Sequence, residues 1–219
     1  PVESIAAGAA AGGPPGTEDA PDGRDGPEAG GAAGNPRDGG AGQVPVTGVT
    51  VSGGEATVQA PFVRALFAAL ADDPRTAGLT RFVDSNGDCD PQVWEMLAPV
   101  TDGVMLDLKA LDEDRHIVLT GESNARSLAS IRTVAALGLL HEVRLLLVPG
   151  LNDDDDTLRR TAAWLHGAAP GVRVVINAFR HEGTRACARD LVEPRPADLT
   201  RYREVLTGAG LTDLTVPSP

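Results

Sequence analysis

From Val46 onward the chain alternates short β-branched or Leu/Val-rich runs with amphipathic stretches. A repeated βα unit of roughly 25 to 35 residues requires a parallel sheet covered by helices, either a parallel α/β barrel or a doubly wound sheet. The runs place strands at Gly48 to Val51, Leu79 to Val83, Val104 to Leu108, Val143 to Val148 and Val172 to Ile176, with a weaker one at Asp213 to Val216. Helices are expected at Pro61 to Ala71, Pro91 to Leu97, Asn124 to Leu137, Thr157 to His166 and Pro196 to Thr207. Pro61 and Pro91 suit first helical positions, where the missing N–H has no helical partner to lose, and Asp90 is a ready N-cap.

Each strand ends in polar, Gly-rich or charged residues: Ser52-Gly53-Gly54-Glu55, Asp84-Ser85-Asn86-Gly87, Asp107-Leu108-Lys109, Pro149-Gly150 and Asn177-Ala178-Phe179-Arg180-His181. In a parallel barrel those ends meet on one face, where the active sites of such folds are built. The separate segments are therefore expected to form one site.

Residues 1 to 45 are of another kind. They hold 12 of the 26 glycines and 7 of the 17 prolines, and after Ile5 no large apolar residue precedes Val44. Such a segment cannot bury enough surface to offset its ordering entropy, so it reads as a disordered low-complexity stretch, with a short helical start at Val2 to Ala11. Residues 46 to 219 form the folded domain.

A net charge of −12 argues against nucleic acid and anionic lipid surfaces. No apolar run approaches the ~20 residues of a bilayer span. Cys89 and Cys187 are the only cysteines, which suits a reducing cytoplasm rather than a disulfide framework. Lys109 is the single lysine among 19 basic residues.

The stretch Gly48-Val49-Thr50-Val51-Ser52-Gly53-Gly54-Glu55-Ala56-Thr57-Val58-Gln59 resembles the GGE region of radical S-adenosylmethionine (radical SAM) enzymes, closest to pyruvate formate-lyase activating enzymes and other glycyl-radical enzyme activases. Val104-Met105-Leu106-Asp107-Leu108-Lys109 and Val148-Pro149-Gly150-Leu151-Asn152-Asp153-Asp154-Asp155-Asp156 are similar to two further activase signatures, in the same order. The resemblance covers about residues 46 to 216 and implies a partial parallel (β/α)6-type radical SAM barrel. In that family a 4Fe-4S cluster held by CxxxCxxC passes an electron to SAM, and the resulting 5′-deoxyadenosyl radical takes a hydrogen from a glycine of a partner enzyme. The CxxxCxxC loop is not in this sequence. With Pro1 in place of Met, the chain reads as the C-terminal part of an activase, its first strand and cluster loop expected upstream of Pro1.

The resemblance also assigns roles. Gly53, Gly54 and Glu55 would receive the methionyl ammonium of SAM, although the same residues suit a helix N-cap turn. Asp84, Ser85, Met105 and Asp107 would surround a monovalent cation, with Asp84, Ser85 and Asp107 also counted toward the cofactor. Lys109 would meet the SAM carboxylate, Arg144 would stand near the substrate end, and Val148 would lie against adenine. Where pyruvate formate-lyase activases carry Pro-Tyr-His, this chain has Ala178-Phe179-Arg180-His181, leaving Arg180 and His181 as alternatives. His116, His141 and His166 read as surface residues, and Asp153 to Asp156 as a solvated helix cap. The implied partners are a glycyl-radical enzyme and an electron donor such as flavodoxin or ferredoxin. The other readings are a cluster-free remnant that binds SAM or a protein without radical chemistry, and an ordinary phosphate-binding barrel. The latter lacks a glycine pair near its last strands.

Overall fold

The computed structural model describes residues 46–184 and 186–217. The disordered segment expected over 1 to 45, with its helical start, lies outside the described residues. Six strands, β1 (Gly48–Val51), β2 (Thr80–Ser85), β3 (Gly103–Leu108), β4 (Leu140–Leu147), β5 (Arg173–Ala178) and β6 (Leu214–Thr215), form one sheet in sequential order. Every pairing is parallel. The sheet does not close, so β1 and β6 are its edges among the described residues.

Six α-helices connect the strands: α1 (Ala60–Asp72), α2 (Pro91–Leu97), α3 (Glu113–Thr120), α4 (Ala125–Ala136), α5 (Asp155–Ala168) and α6 (Pro196–Gly208). Pro61, Pro91 and Pro196 each occupy the first helical turn, where φ is already set for the helix. The strand and helix expectations hold to within a few residues. Helix α3 was not among them.

Residues alternating along the strands pack against the helices. Val83, Leu106, Leu145 and Ile176 are nearly or wholly buried there, with Phe67, Trp94, Ile131 and Leu165 from the helices above them. A smaller apolar group, Ala110, Leu119, Val148, Phe179 and Ala188, lies at the C-terminal ends of the strands. The other face of the sheet is mixed: Asp84, Asp107, Glu142 and Arg144 alternate there with Phe82, Met105, Leu146 and Val175.

Two buried side chains tie the loop after β4 to its neighbours. Asn152 is 2% exposed; its Nδ2 donates to the carbonyls of Lys109 and Leu146, and its Oδ1 accepts from the Val148 N–H, each at 2.8 Å. Asp153 accepts from Gly150 N–H at 2.8 Å, Arg201 Nη2 at 2.6 Å and Tyr202 Oη at 2.9 Å. The acidic run is therefore only partly the solvated cap expected. Asp154 caps α5 through the Thr157 N–H, while Asp153 is buried because an arginine and a tyrosine on α6 share its charge. Among the described residues, no helix is long and apolar enough to cross a membrane.

Candidate functional site

At the C-terminal ends of the strands, on the mixed face of the sheet, lies a cleft of about 480 Å3. Gly53 and Gly54, Asp84, Asp107, Lys109 and Arg144 all line it. The register explains their meeting: Asp84 pairs with Met105, Met105 with Glu142, and Asp107 with Arg144, so these side chains share the inward face. Another hollow, of about 320 Å3, sits between α5 and α6 away from these ends.

The turn after β1 is built on two glycines with φ of 85° and 50°, a conformation that costs other residues roughly 1 kcal/mol or more. A Cβ at either position would meet nothing within 4 Å. The glycines thus serve the backbone conformation and leave main-chain polar groups open to the cleft.

Glu55 follows, and its carboxylate is engaged by the protein itself. Oε1 accepts from Thr57 N–H at 2.9 Å, Thr57 Oγ1 at 2.7 Å and Ser85 Oγ at 2.7 Å; Oε2 accepts from Asn86 N–H at 2.9 Å. It is the N-cap of a short 3-10 turn, Ala56–Gln59. Of the two sequence readings of this residue, the structure places the side chain in the capping one.

Asp84 Oδ2 accepts from Arg144 Nη1 at 2.9 Å and from Ser52 Oγ at 3.1 Å. Arg144 also donates through Nε to Glu142 Oε1 at 2.8 Å and through Nη2 to Met105 Sδ at 2.9 Å. Burial works against the Arg144 charge, but Glu142 and Asp84 outweigh it and raise the pKa of the guanidinium above its ordinary value. Lys109 Nζ lies 2.6 Å from Asp107 Oδ2, each side chain 22% exposed. An ammonium has three donors, so Lys109 keeps two for a ligand.

The expected cation shell is not free in this arrangement. Arg144 and Lys109 neutralise the two carboxylates. Ser85 also lines the cleft, but its hydroxyl proton is committed to Glu55. Among the described residues, no group of three or more His, Cys, Asp or Glu side chains is placed to hold a metal ion.

Other expected site residues lie outside the cleft lining. Val148 is wholly buried in the smaller apolar group and does not line the cleft, because its side chain packs with Phe179 and Leu119. Arg180 and His181 are exposed and lie outside the cleft lining; the His181 N–H is held by Glu193 and the ring rests edge-on against Phe179. His141 and His166 are exposed as read. His116 is not: it is 5% exposed and lines the cleft, because α3 folds its ring inward. The sequence reading gave Asn177 no role of its own, although its strand-end segment was expected at the site, and left out Glu142, which braces Arg144. Asn177 was visible as the first polar residue after the apolar run Val172 to Ile176, whereas Glu142 has no motif around it.

A family profile described as the radical SAM superfamily matches residues 40–162, more than half of the chain. The pyruvate formate-lyase 1-activating enzyme of Escherichia coli strain K12 is 42% identical over 116 residues, covering 52% of this chain and 45% of that enzyme. The pyruvate formate-lyase-activating enzyme of Staphylococcus aureus strain USA300 is 35% identical over 125 residues, covering 54% and 48%. The matched segments span about half the length of these curated relatives. A domain of pyruvate-formate lyase-activating enzyme from Bacteroides vulgatus ATCC 8482 superposes with a TM-score of 0.62 at 23% identity, over 78% of this chain and 99% of that one.

Proposed function

Because the chain belongs to the radical SAM superfamily, we propose that its cleft binds S-adenosylmethionine and that the protein acts as an activase, setting a glycyl radical on a partner enzyme. One observation carries the reading: the open glycine turn, Asp107 and the single lysine converge on one cleft at the strand ends. Once bound and given one electron from a 4Fe-4S cluster, the cofactor would split at a C–S bond into methionine and a 5′-deoxyadenosyl radical able to take a hydrogen from a glycine Cα.

The residues present suit that ligand. Lys109 offers two N–H donors to the amino-acid carboxylate, and the main chain at Gly53 and Gly54 approaches without a side chain between. Glu55, held by Thr57, Ser85 and Asn86, keeps this turn in place and leaves one lone pair of Oε2 toward the cleft. Arg144, braced by Glu142, marks the end nearer β4 and β5 and orients whatever reaches the mouth there.

The 4Fe-4S cluster does not fit the residues in hand. Cys89 is 9% exposed and faces Ser130, and Cys187 is far from it in sequence, so three closely spaced thiolates are lacking. We place the cluster ligands outside these 219 residues and derive no step through them. The partner is a glycyl-radical enzyme whose glycine loop reaches the mouth, the electron donor a flavodoxin or ferredoxin, and the setting the cytoplasm.

Calorimetric titration with S-adenosylhomocysteine, which keeps the amino acid and the nucleoside, tests the binding. A charge-assisted hydrogen bond contributes roughly 1.5 to 3 kcal/mol, so Lys109→Met weakens binding about ten- to a hundredfold. Its thermal midpoint stays nearly unchanged, since a pair that still reaches solvent contributes only about 0 to 1 kcal/mol. Unchanged affinity in the variant, or no binding by the parent at about 1 mM ligand, sinks the proposal.

A further inference from the structure

Resting on that reading, we infer that His116 touches the ligand: its Nε2 accepts a hydrogen bond from the amino-acid end of the bound sulfonium nucleoside. Nδ1 lies 2.8 Å from the carbonyl oxygen of Glu122. That oxygen can only accept, so Nδ1 carries a proton, and a ring with that one proton presents Nε2 as an acceptor. Thr120 Oγ1, 3.1 Å from Nδ1, donates to the His116 carbonyl at 2.8 Å, and the tautomer stays as Glu122 sets it.

Nε2 has no hydrogen-bond partner among the described residues. The buried side-chain nitrogen or oxygen left unpaired among them is Thr101 Oγ1 alone. Nε2 therefore reaches solvent, and the cleft is the opening that His116 lines. The hydroxyls of the same wall are already used. Ser127 Oγ donates to the Asn86 carbonyl at 2.8 Å, Ser123 Oγ to Glu113 at 2.5 Å, and Thr120 to its own helix.

The amino-acid end is the part that needs this acceptor. Glu55 Oε1 already accepts three hydrogen bonds and Oε2 one, so an ammonium with its three N–H donors needs acceptors beyond the lone pair left on Oε2. Helix α3 also leaves directly from the strand end that carries Lys109, which fixes the carboxylate on this side, whereas Asn177 and Arg144 stand across on β4 and β5.

Two substitutions separate contact from scaffold. His116→Asn sets an amide nitrogen near the place of Nδ1 and keeps the tie to Glu122 while removing Nε2. His116→Gln sets an amide near Nε2 and loses the tie. S-adenosylhomocysteine and 5′-methylthioadenosine, which lacks the amino-acid end, serve as probes. His116→Asn is expected to bind S-adenosylhomocysteine about tenfold more weakly, about 1.4 kcal/mol, with 5′-methylthioadenosine unaffected and the thermal midpoint within about 2 °C of the parent. His116→Gln is expected to lose thermal stability but to stay within about threefold in affinity. Parent-like binding by His116→Asn overturns the inference, and equal weakening of both probes moves the contact to the nucleoside and overturns it too. A parent that binds neither probe refutes the cofactor reading itself, and the inference with it.

Discussion

Replacing Glu55 by alanine removes a carboxylate that holds four donors, and the structure sets the size of the effect. Loss of the cap on Ala56–Gln59 costs about 1 kcal/mol. The ties to Ser85 and Asn86 join segments 30 and 31 residues apart; each is a hydrogen bond to a charged group, the first part-buried and the second exposed, and contributes about 1 to 1.5 kcal/mol. Glu55→Ala is thus expected to destabilise by about 3 to 4 kcal/mol, a fall of roughly 6 to 16 °C in thermal midpoint for a domain of this size. Glu55→Gln keeps the acceptor toward Thr57 and Ser85 but sets an NH2 against the Asn86 N–H, and is expected to cost about 1 to 2 kcal/mol. Urea unfolding measures both, and titration with S-adenosylhomocysteine on the glutamine variant measures the ligand. If Glu55→Gln kept full stability yet lost tenfold in affinity, the carboxylate would belong to the ligand and the capping argument would be wrong.

Asp153→Ala leaves the buried Tyr202 hydroxyl without its acceptor, while Arg201 keeps Asp155, so chemical denaturation is expected to show a loss of about 1 to 3 kcal/mol; no measurable loss would mean that α6 docks without this contact. Burial pushes the Cys89 thiol up to about 11, against the smaller opposing pull of Ser130. An unfolded thiol ionises near 8.5, so the contribution of Cys89 is full below that pH and is lost as pH rises toward about 11. Cys89→Ser is expected to flatten that alkaline decline, and the folded thiol to react with iodoacetamide only after unfolding.

The strands were legible because parallel strands buried on one side carry compact Val/Leu runs, and those at β3 and β4 are bounded by glycine or charge. Side-chain partners were harder. Asp84 and Ser85 were read together as ligands, and only the structure shows Asp84 held by Arg144 and Ser85 committed to Glu55. Helix α3 escaped because Glu113-Asp114-Arg115-His116-Ile117-Val118-Leu119-Thr120 has no apolar stripe. Its signals were local: Asp112 as N-cap, two acids in the first turn and Gly121 in the left-handed conformation at the end. With α3 unread, His116 had no address, so its inward orientation lay beyond any pattern in the chain. The burial of Val148 was hidden for another reason: a residue next to a loop motif can belong to the core beneath it.

Asn152 spans two strand ends with one amide, gripping the carbonyl of Lys109 from one side and the main chain at Leu146 and Val148 from the other. The position of the lysine is therefore measured from the fourth strand as well as from its own. A push on the loop at Pro149 and Gly150, such as a docking chain would exert, cannot move that loop alone. It must either carry Lys109 with it or break three hydrogen bonds out of contact with water, which makes the mouth and the floor of the cleft a single mechanical part.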